Sequence, residues 1–126
     1  MNKTQNNKQI RNIAVALAGG VGSRIGAPTP KQFLEVAGKM VIEHTIEAFE
    51  RHPAIEEIAV VIHPDYIGHM EEIVRRNPWK KVKKVLQGGN ERYLSTLSAI
   101  KAYEDLSNAN LLIFADILIL QKGMNI

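Results

Sequence analysis

The sequence predicts an α/β sandwich: an open, mostly parallel sheet with helices packed on its faces. Three observations carry that expectation. Short continuous apolar runs stand at residues 13–17, 58–62 and 111–114, each the length of a strand buried on both faces. The segments between them repeat their apolar residues at helical spacing. The resulting order of strand, loop, helix, strand, helix, strand, helix, strand has the short spacings of right-handed crossover units.

Taken in order, Ile13, Ala14, Val15, Ala16 and Leu17 form the first strand and run into Gly19-Gly20. Glycine and proline then punctuate a long loop to Pro30, after which residues 31–36 lead to a turn at Gly38-Lys39. Val41, Ile42, Thr45, Ile46 and Phe49 predict a helix over about residues 40–51, stopped before Pro53. Residues 58–62 are the second strand. Pro64 and Asp65 open a helix whose apolar face is Ile67, Met70, Ile73 and Val74, and Asn77-Pro78 ends it. Val82, Val85 and Leu86 mark a weaker third strand that stops at Gly88-Gly89. From Tyr93 to about Leu106, Leu94, Leu97, Ile100, Ala102 and Tyr103 recur at helical spacing, and the fourth strand follows at residues 111–114.

The chain has 126 residues, enough for one domain, and its 45% hydrophobic content can supply a core. Sixteen Lys and Arg against thirteen Asp and Glu leave a formal charge of +3, which permits anionic ligands without requiring nucleic acid. Without cysteine, a disulfide framework and a thiol nucleophile are excluded. No apolar run of signal-peptide pattern follows the polar first twelve residues. The apolar-rich stretch from Leu111 to Leu120 contains Asp116 and is about half the length needed to cross a bilayer. A cytoplasmic address without membrane or nucleic-acid partners is therefore expected. The organisation reads as a polar tail over residues 1–12, a domain part over 13–114 and a tail of different pattern over 115–126.

Ligands of open α/β sheets sit outside the carboxyl ends of the strands, where this chain places two glycine-rich loops. The first is Leu17-Ala18-Gly19-Gly20-Val21-Gly22-Ser23-Arg24-Ile25-Gly26, followed by Pro30-Lys31-Gln32. Glycines after a strand let backbone N–H groups curl around an anion, and Arg24 and Lys31 can neutralise polyphosphate oxygens from different sides. Ile25 stands where a dinucleotide fingerprint needs its third glycine, and no Gly-Lys-Ser/Thr follows. The bland alternative is a tight turn with both cations solvated. The second loop is Gln87-Gly88-Gly89-Asn90-Glu91-Arg92-Tyr93-Leu94-Ser95. Its glycines admit close approach of a base or ribose, while Arg92 and Ser95 sit near a helix N-terminus, where anions are favoured. Its alternative is a helix cap formed by Asn90, with Arg92 exposed.

Asp116 follows the last strand, a position from which a carboxylate could hold Mg2+ against phosphates, although its apolar neighbours Ile117, Leu118 and Ile119 equally suit an irregular segment. His44, His52, His63 and His69 lack metal-ligand spacing and read as surface or capping residues. The short basic run Trp79-Lys80-Lys81-Val82-Lys83-Lys84 reads as the approach to an edge strand.

Together the two loops and Pro30-Lys31-Gln32-Phe33 resemble the 2-C-methyl-D-erythritol 4-phosphate cytidylyltransferase and ribitol-5-phosphate cytidylyltransferase family, over about residues 13–114. The resemblance implies a three-layer α/β/α, Rossmann-like nucleotidyltransferase fold. It also implies transfer of CMP from CTP to a polyol phosphate with release of pyrophosphate, Mg2+ as the metal, and homodimeric full-length relatives. Arg24 and Lys31 would act as the catalytic cations. Leu17, Ala18, Gly19, Gly20 and Gly22 would wrap the triphosphate and ribose; Gly88, Arg92 and Ser95 would contact cytosine and sugar; Asp116 would hold the metal. The Ala18-Gly19-Gly20 form leans toward the ribitol branch. Past Phe114 the family pattern His-Asp-Ala-(Ala/Val)-Arg-Pro gives way to Ala115-Asp116-Ile117-Leu118, which suggests a truncated or frameshifted domain, incomplete at its C-terminus. The corresponding alternative is an inactive fragment that at most binds nucleotide.

Overall fold

The computed structural model describes residues 10–18 and 30–114. In chain order its elements are β1 (Arg11–Leu17), the short strands β2 (Glu35–Val36) and β3 (Lys39–Met40), and helix α1 (Val41–Arg51). Then come β4 (Glu57–Ile62), α2 (Ile67–Arg76), β5 (Val82–Gln87), α3 (Arg92–Ala102) and β6 (Ala109–Phe114). Single 3-10 turns occupy Lys31–Phe33 and Pro64–Tyr66.

Four parallel strands form the main sheet in the order β5-β4-β1-β6. After β1 the chain steps outward to β4 and β5, then returns over the sheet to lay β6 on the other side of β1. The winding direction therefore reverses between β1 and β6. All six residues of β4 are buried, as expected of an inner strand covered on both faces.

Alternation along the inner strands divides the core in two. Ala14, Ala16, Ile58, Val60 and Ile62 meet Ile42, Ile46 and Phe49 of α1 and Met70 and Ile73 of α2. Ile13, Val15, Leu17, Ala59 and Val61 face the opposite way, toward Ala99 of α3 and Tyr103. Among the described residues, two helices thus cover one face and one helix covers the other, giving three layers. Full burial of each isoleucine contributes roughly 2–3 kcal/mol.

The helix ends follow local chemistry. The Glu43 carboxylate accepts the backbone N–H of Met40 at 2.9 Å and closes the start of α1. His63 Nδ1 accepts the N–H of Asp65 at 3.0 Å, and His52 Nδ1 that of Ala54 at 3.1 Å, so both histidines cap turns.

Several boundaries differ from expectation. β1 begins at Arg11 and β6 at Ala109 because these two residues pair across the sheet. The turn between β2 and β3 is made by Ala37 and Gly38, at φ +54° and +85°, rather than by Gly38-Lys39. Helix α3 ends at Ala102, short of Leu106, because Tyr103 leaves helical geometry. Its inward face is Ser95 and Ala99, with the buried Tyr103 just past its end, while Leu94, Leu97 and Ile100 are exposed. The expected stripe contained two overlapping helical faces, and small residues took the inner one.

Candidate functional site

Both glycine loops leave the carboxyl end of the sheet, and the same strand secures them. Ala18, the first residue after β1, donates its N–H to the Val61 carbonyl at 2.8 Å. Gly88, the first after β5, donates its N–H to the Ile62 carbonyl at 2.7 Å. Consecutive peptide groups at the end of β4 therefore hold the roots of both loops, one from each side. With one strand between them, the roots lie about 10 Å apart.

The second loop is fitted closely around Ser95. Ser95 is 2% exposed, and its Oγ accepts the N–H of Gly89 at 3.2 Å. A Cβ on Gly88 would lie 2.7 Å from that Oγ and 3.3 Å from Val61 Cγ1. A Cβ on Gly89 would lie 2.6 Å from the Cβ of Leu94. Close approach is the reason for both glycines, since neither has a left-handed φ. The N-cap of α3 is Glu91, and no side chain caps it by hydrogen bonding, so the Asn90 cap is not formed. Arg92 is exposed in the first turn of α3.

Lys31 reaches the same end from the opposite face. It is exposed, in a 3-10 turn anchored by the buried Phe33. The Phe33 ring packs against Tyr66 at 5.6 Å and edge-on against His69 at 4.5 Å, at the start of α2 just beyond β4. Beside Lys31, the side-chain oxygen of Gln32 is buried without a hydrogen-bond partner. That atom is a polar acceptor left over by the described residues.

Of the expected site residues, Leu17, Ala18, Lys31, Gly88, Arg92 and Ser95 are thus described and border one end of the sheet. Gly19, Gly20, Gly22, Arg24 and Asp116 lie outside the described residues. Among the described residues no three His, Asp or Glu side chains group as a metal site, and no helix is long and apolar enough to cross a membrane.

A separate polar cluster occupies the amino end of the sheet. Glu57, 6% exposed, accepts hydrogen bonds from Arg11 at 2.6 Å and from the Tyr103 hydroxyl at 2.7 Å. Burial, reinforced by the Glu57 hydrogen bond and negative charge, pushes the Tyr103 hydroxyl well above its ordinary pKa. Lys84 lies 5.4 Å from the Tyr103 ring centroid. The cluster lies at the opposite end of the strands from the glycine loops and secures β1, β4 and the end of α3 to one another.

The family model for IspD, 2-C-methyl-D-erythritol 4-phosphate cytidylyltransferase, matches residues 12–116. The chain belongs to this cytidylyltransferase family. The bifunctional ribulose 5-phosphate reductase/CDP-ribitol pyrophosphorylase Bcs1 of Haemophilus influenzae is 44% identical over 106 residues, 84% of this chain and 22% of that protein. The ribitol-5-phosphate cytidylyltransferase of Streptococcus agalactiae serotype III is 42% identical over 97 residues, 76% of this chain and 41% of that enzyme. The 2-C-methyl-D-erythritol 4-phosphate cytidylyltransferase of Thermobifida fusca is 36% identical over 106 residues, 84% of this chain and 43% of that enzyme. In three dimensions, 4-diphosphocytidyl-2C-methyl-D-erythritol synthase from Anaerococcus prevotii superposes with a TM-score of 0.66 at 23% identity. That match covers 98% of this chain and 53% of the solved one, and it shares the Rossmann-like α/β/α fold. The chain spans less than half the length of each curated relative named here.

For this cytidylyltransferase-family chain, sequence reasoning missed the parts of the site that belong to the backbone. The Val61 and Ile62 carbonyls have no residue-type signature, since any residue supplies one. The buried oxygen of Gln32 did have a signal, its place directly after Lys31. Ser95 is expected from the sequence as a substrate contact, and what the structure shows for its oxygen is a bond within the loop itself, from the Gly89 N–H.

Proposed function

We propose that the chain is the nucleotide-binding part of an enzyme that transfers CMP from CTP to a polyol phosphate. In this reading an oxygen of the acceptor phosphate attacks the α-phosphorus of CTP, the bond to the bridging oxygen breaks, and pyrophosphate leaves. The attacking group is already an anion, so catalysis needs alignment and charge neutralisation more than a general base. Arg24 and Lys31 neutralise the triphosphate, and the loop from Ala18 to Gly22 wraps it. Arg92 and the Gly88–Gly89 backbone, held by Ser95, border the base and ribose.

The observation that carries this reading is the joint anchoring of both loops on Val61 and Ile62, in a chain of this family. Mg2+, bound through Asp116, belongs to the proposal by resemblance. Ribitol 5-phosphate is the favoured acceptor over 2-C-methyl-D-erythritol 4-phosphate. The two ribitol-related proteins named above are 44% and 42% identical to the chain, against 36% for the T. fusca enzyme. A cytoplasmic site of action and a homodimeric assembly complete the proposal.

Calorimetric titration with CTP and Mg2+, with ATP as the control and circular dichroism on the same sample, tests it. Saturable binding selective for CTP is expected, and it justifies testing ribitol 5-phosphate against 2-C-methyl-D-erythritol 4-phosphate for pyrophosphate release. A folded chain that binds neither nucleotide would overturn the proposal. Binding without release with either acceptor would favour the alternative of a nucleotide-binding fragment.

A further inference from the structure

Helix α3 meets the sheet along one narrow row. Ser95 and Ala99, followed by Tyr103 just past the helix, stand at i, i+4 and i+8, and all three are buried. On β4, Glu57, Ala59 and Val61 stand at alternate positions and therefore face the same way. Ala59, Val61, Ala99 and Tyr103 share one buried cluster. The two rows run in opposite directions. At one end Glu57 accepts the Tyr103 hydroxyl at 2.7 Å, and at the other Gly88 lies against Val61 Cγ1 and Ser95 Oγ.

Between those ends the rows present Ala59 and Ala99, whose methyl groups interdigitate too shallowly to stop a helix from sliding. The larger Leu97 and Ile100 are exposed. The lengthwise position of α3 therefore depends on directional contacts at its two ends, Ser95 Oγ with the Gly89 N–H and Tyr103 with Glu57. The second is the firmer. Its acceptor is a buried carboxylate whose other oxygen is held by Arg11 of β1 at 2.6 Å, and Lys84 of β5 lies 5.4 Å from the Tyr103 ring centroid.

We propose that the Tyr103–Glu57 hydrogen bond positions the second glycine loop from the far end of α3. It fixes how far the helix sits along β4, and thereby where Ser95 Oγ meets Gly88 and Gly89. The influence travels about 12 Å along the helix. Tyr103 is a positioning residue: it acts through Ser95 and touches no ligand. Its effect on nucleotide binding rests on the cytidylyltransferase reading, whereas its effect on the loop is measured without nucleotide.

The test is amide exchange in Tyr103→Phe, which keeps the ring and removes the hydroxyl. The Gly89 N–H is held by α3 through Ser95, and the Gly88 N–H by the Ile62 carbonyl of β4. Exchange at Gly89 should quicken at least about tenfold, and at Gly88 by less than about threefold. In a Ser95→Ala background, Tyr103→Phe should change Gly89 exchange by less than about twofold, because the link through Ser95 is already gone. Ile73→Val, which loosens the core on the opposite face of the sheet, should lower the urea midpoint and leave the ratio of Gly89 to Gly88 exchange at its wild-type value. An equal rise at both glycines, no rise at either, or an undiminished effect without Ser95 makes the Tyr103 contact merely structural and overturns the proposal. With CTP, Tyr103→Phe should lose about fivefold or more in affinity. A chain whose Gly89 responds as expected, but which binds no CTP or binds it equally in both forms, counts against the functional reading and leaves the positioning role standing.

Discussion

The hydroxyl oxygen of Ser95 accepts the backbone N–H of Gly89, six residues earlier in the chain, and does so from a position 2% exposed to solvent. This closes the second loop onto the first turn of α3. It also explains Gly88, whose missing side chain leaves the space that Ser95 Oγ occupies.

Ser95→Ala should leave the Gly89 N–H without its acceptor and cost about 1–3 kcal/mol. Gly88→Ala forces a methyl group against the same oxygen and should cost a similar amount. Because the collision needs Oγ, the double variant should lose less than the sum of the two single losses. Urea unfolding of the four proteins checks this. Strict additivity would mean that the two positions do not share the contact.

Lys31 is exposed and has no role in the core, so Lys31→Ala should leave the unfolding midpoint unchanged. If the chain binds CTP as proposed, the same change should weaken binding by roughly tenfold or more, since it deletes a cation facing the triphosphate. Titration at two salt concentrations checks the electrostatic origin: wild type should lose more affinity with added salt than the variant does.

Tyr103→Phe should cost about 1.5–3 kcal/mol at neutral pH through the lost bond to the Glu57 carboxylate. The pH dependence has a definite sign. The folded state holds the hydroxyl proton more tightly than the unfolded chain, whose tyrosine titrates near about 10. The added stability is therefore complete below that pH and declines as pH rises above it toward the folded-state value. Wild type should show an alkaline loss of stability that Tyr103→Phe lacks, measurable as unfolding midpoints between about pH 8 and 11.

Ala37 has φ +54°, a left-handed conformation that is strained for a residue with a Cβ. Ala37→Gly should therefore stabilise the chain by about 0.5–1 kcal/mol, against the usual penalty for introducing glycine. A lower thermal midpoint in Ala37→Gly would contradict this account of the turn.

The layer arrangement was legible because it depends on patterns that sequence displays directly. The apolar runs at β1 and β4 and the stripes of α1 and α2 point to the sides they bury. Helix α3 was harder: Leu94, Leu97 and Ile100 look like a core face, yet Ser95 and Ala99 hold that position. Small residues fit between α3 and β1, while the large ones remain outside, and hydrophobicity alone cannot order the two. The site divided in the same way. Gly88, Arg92 and Lys31 advertised themselves as residue types, whereas the carbonyls that anchor the loops are common to all residues. Tyr103 and Glu57 are 46 positions apart in sequence, and only the closed fold brings them together.

Fastening both loop roots to neighbouring peptide groups of β4 gives them a shared datum. Each loop can exchange side chains without altering where the other begins. Variation in either can therefore retune recognition independently, and engineered loop grafts need to match only one backbone attachment apiece. The converse is equally concrete. Inserting a single residue within β4 would misregister both margins at once, although it changes neither loop.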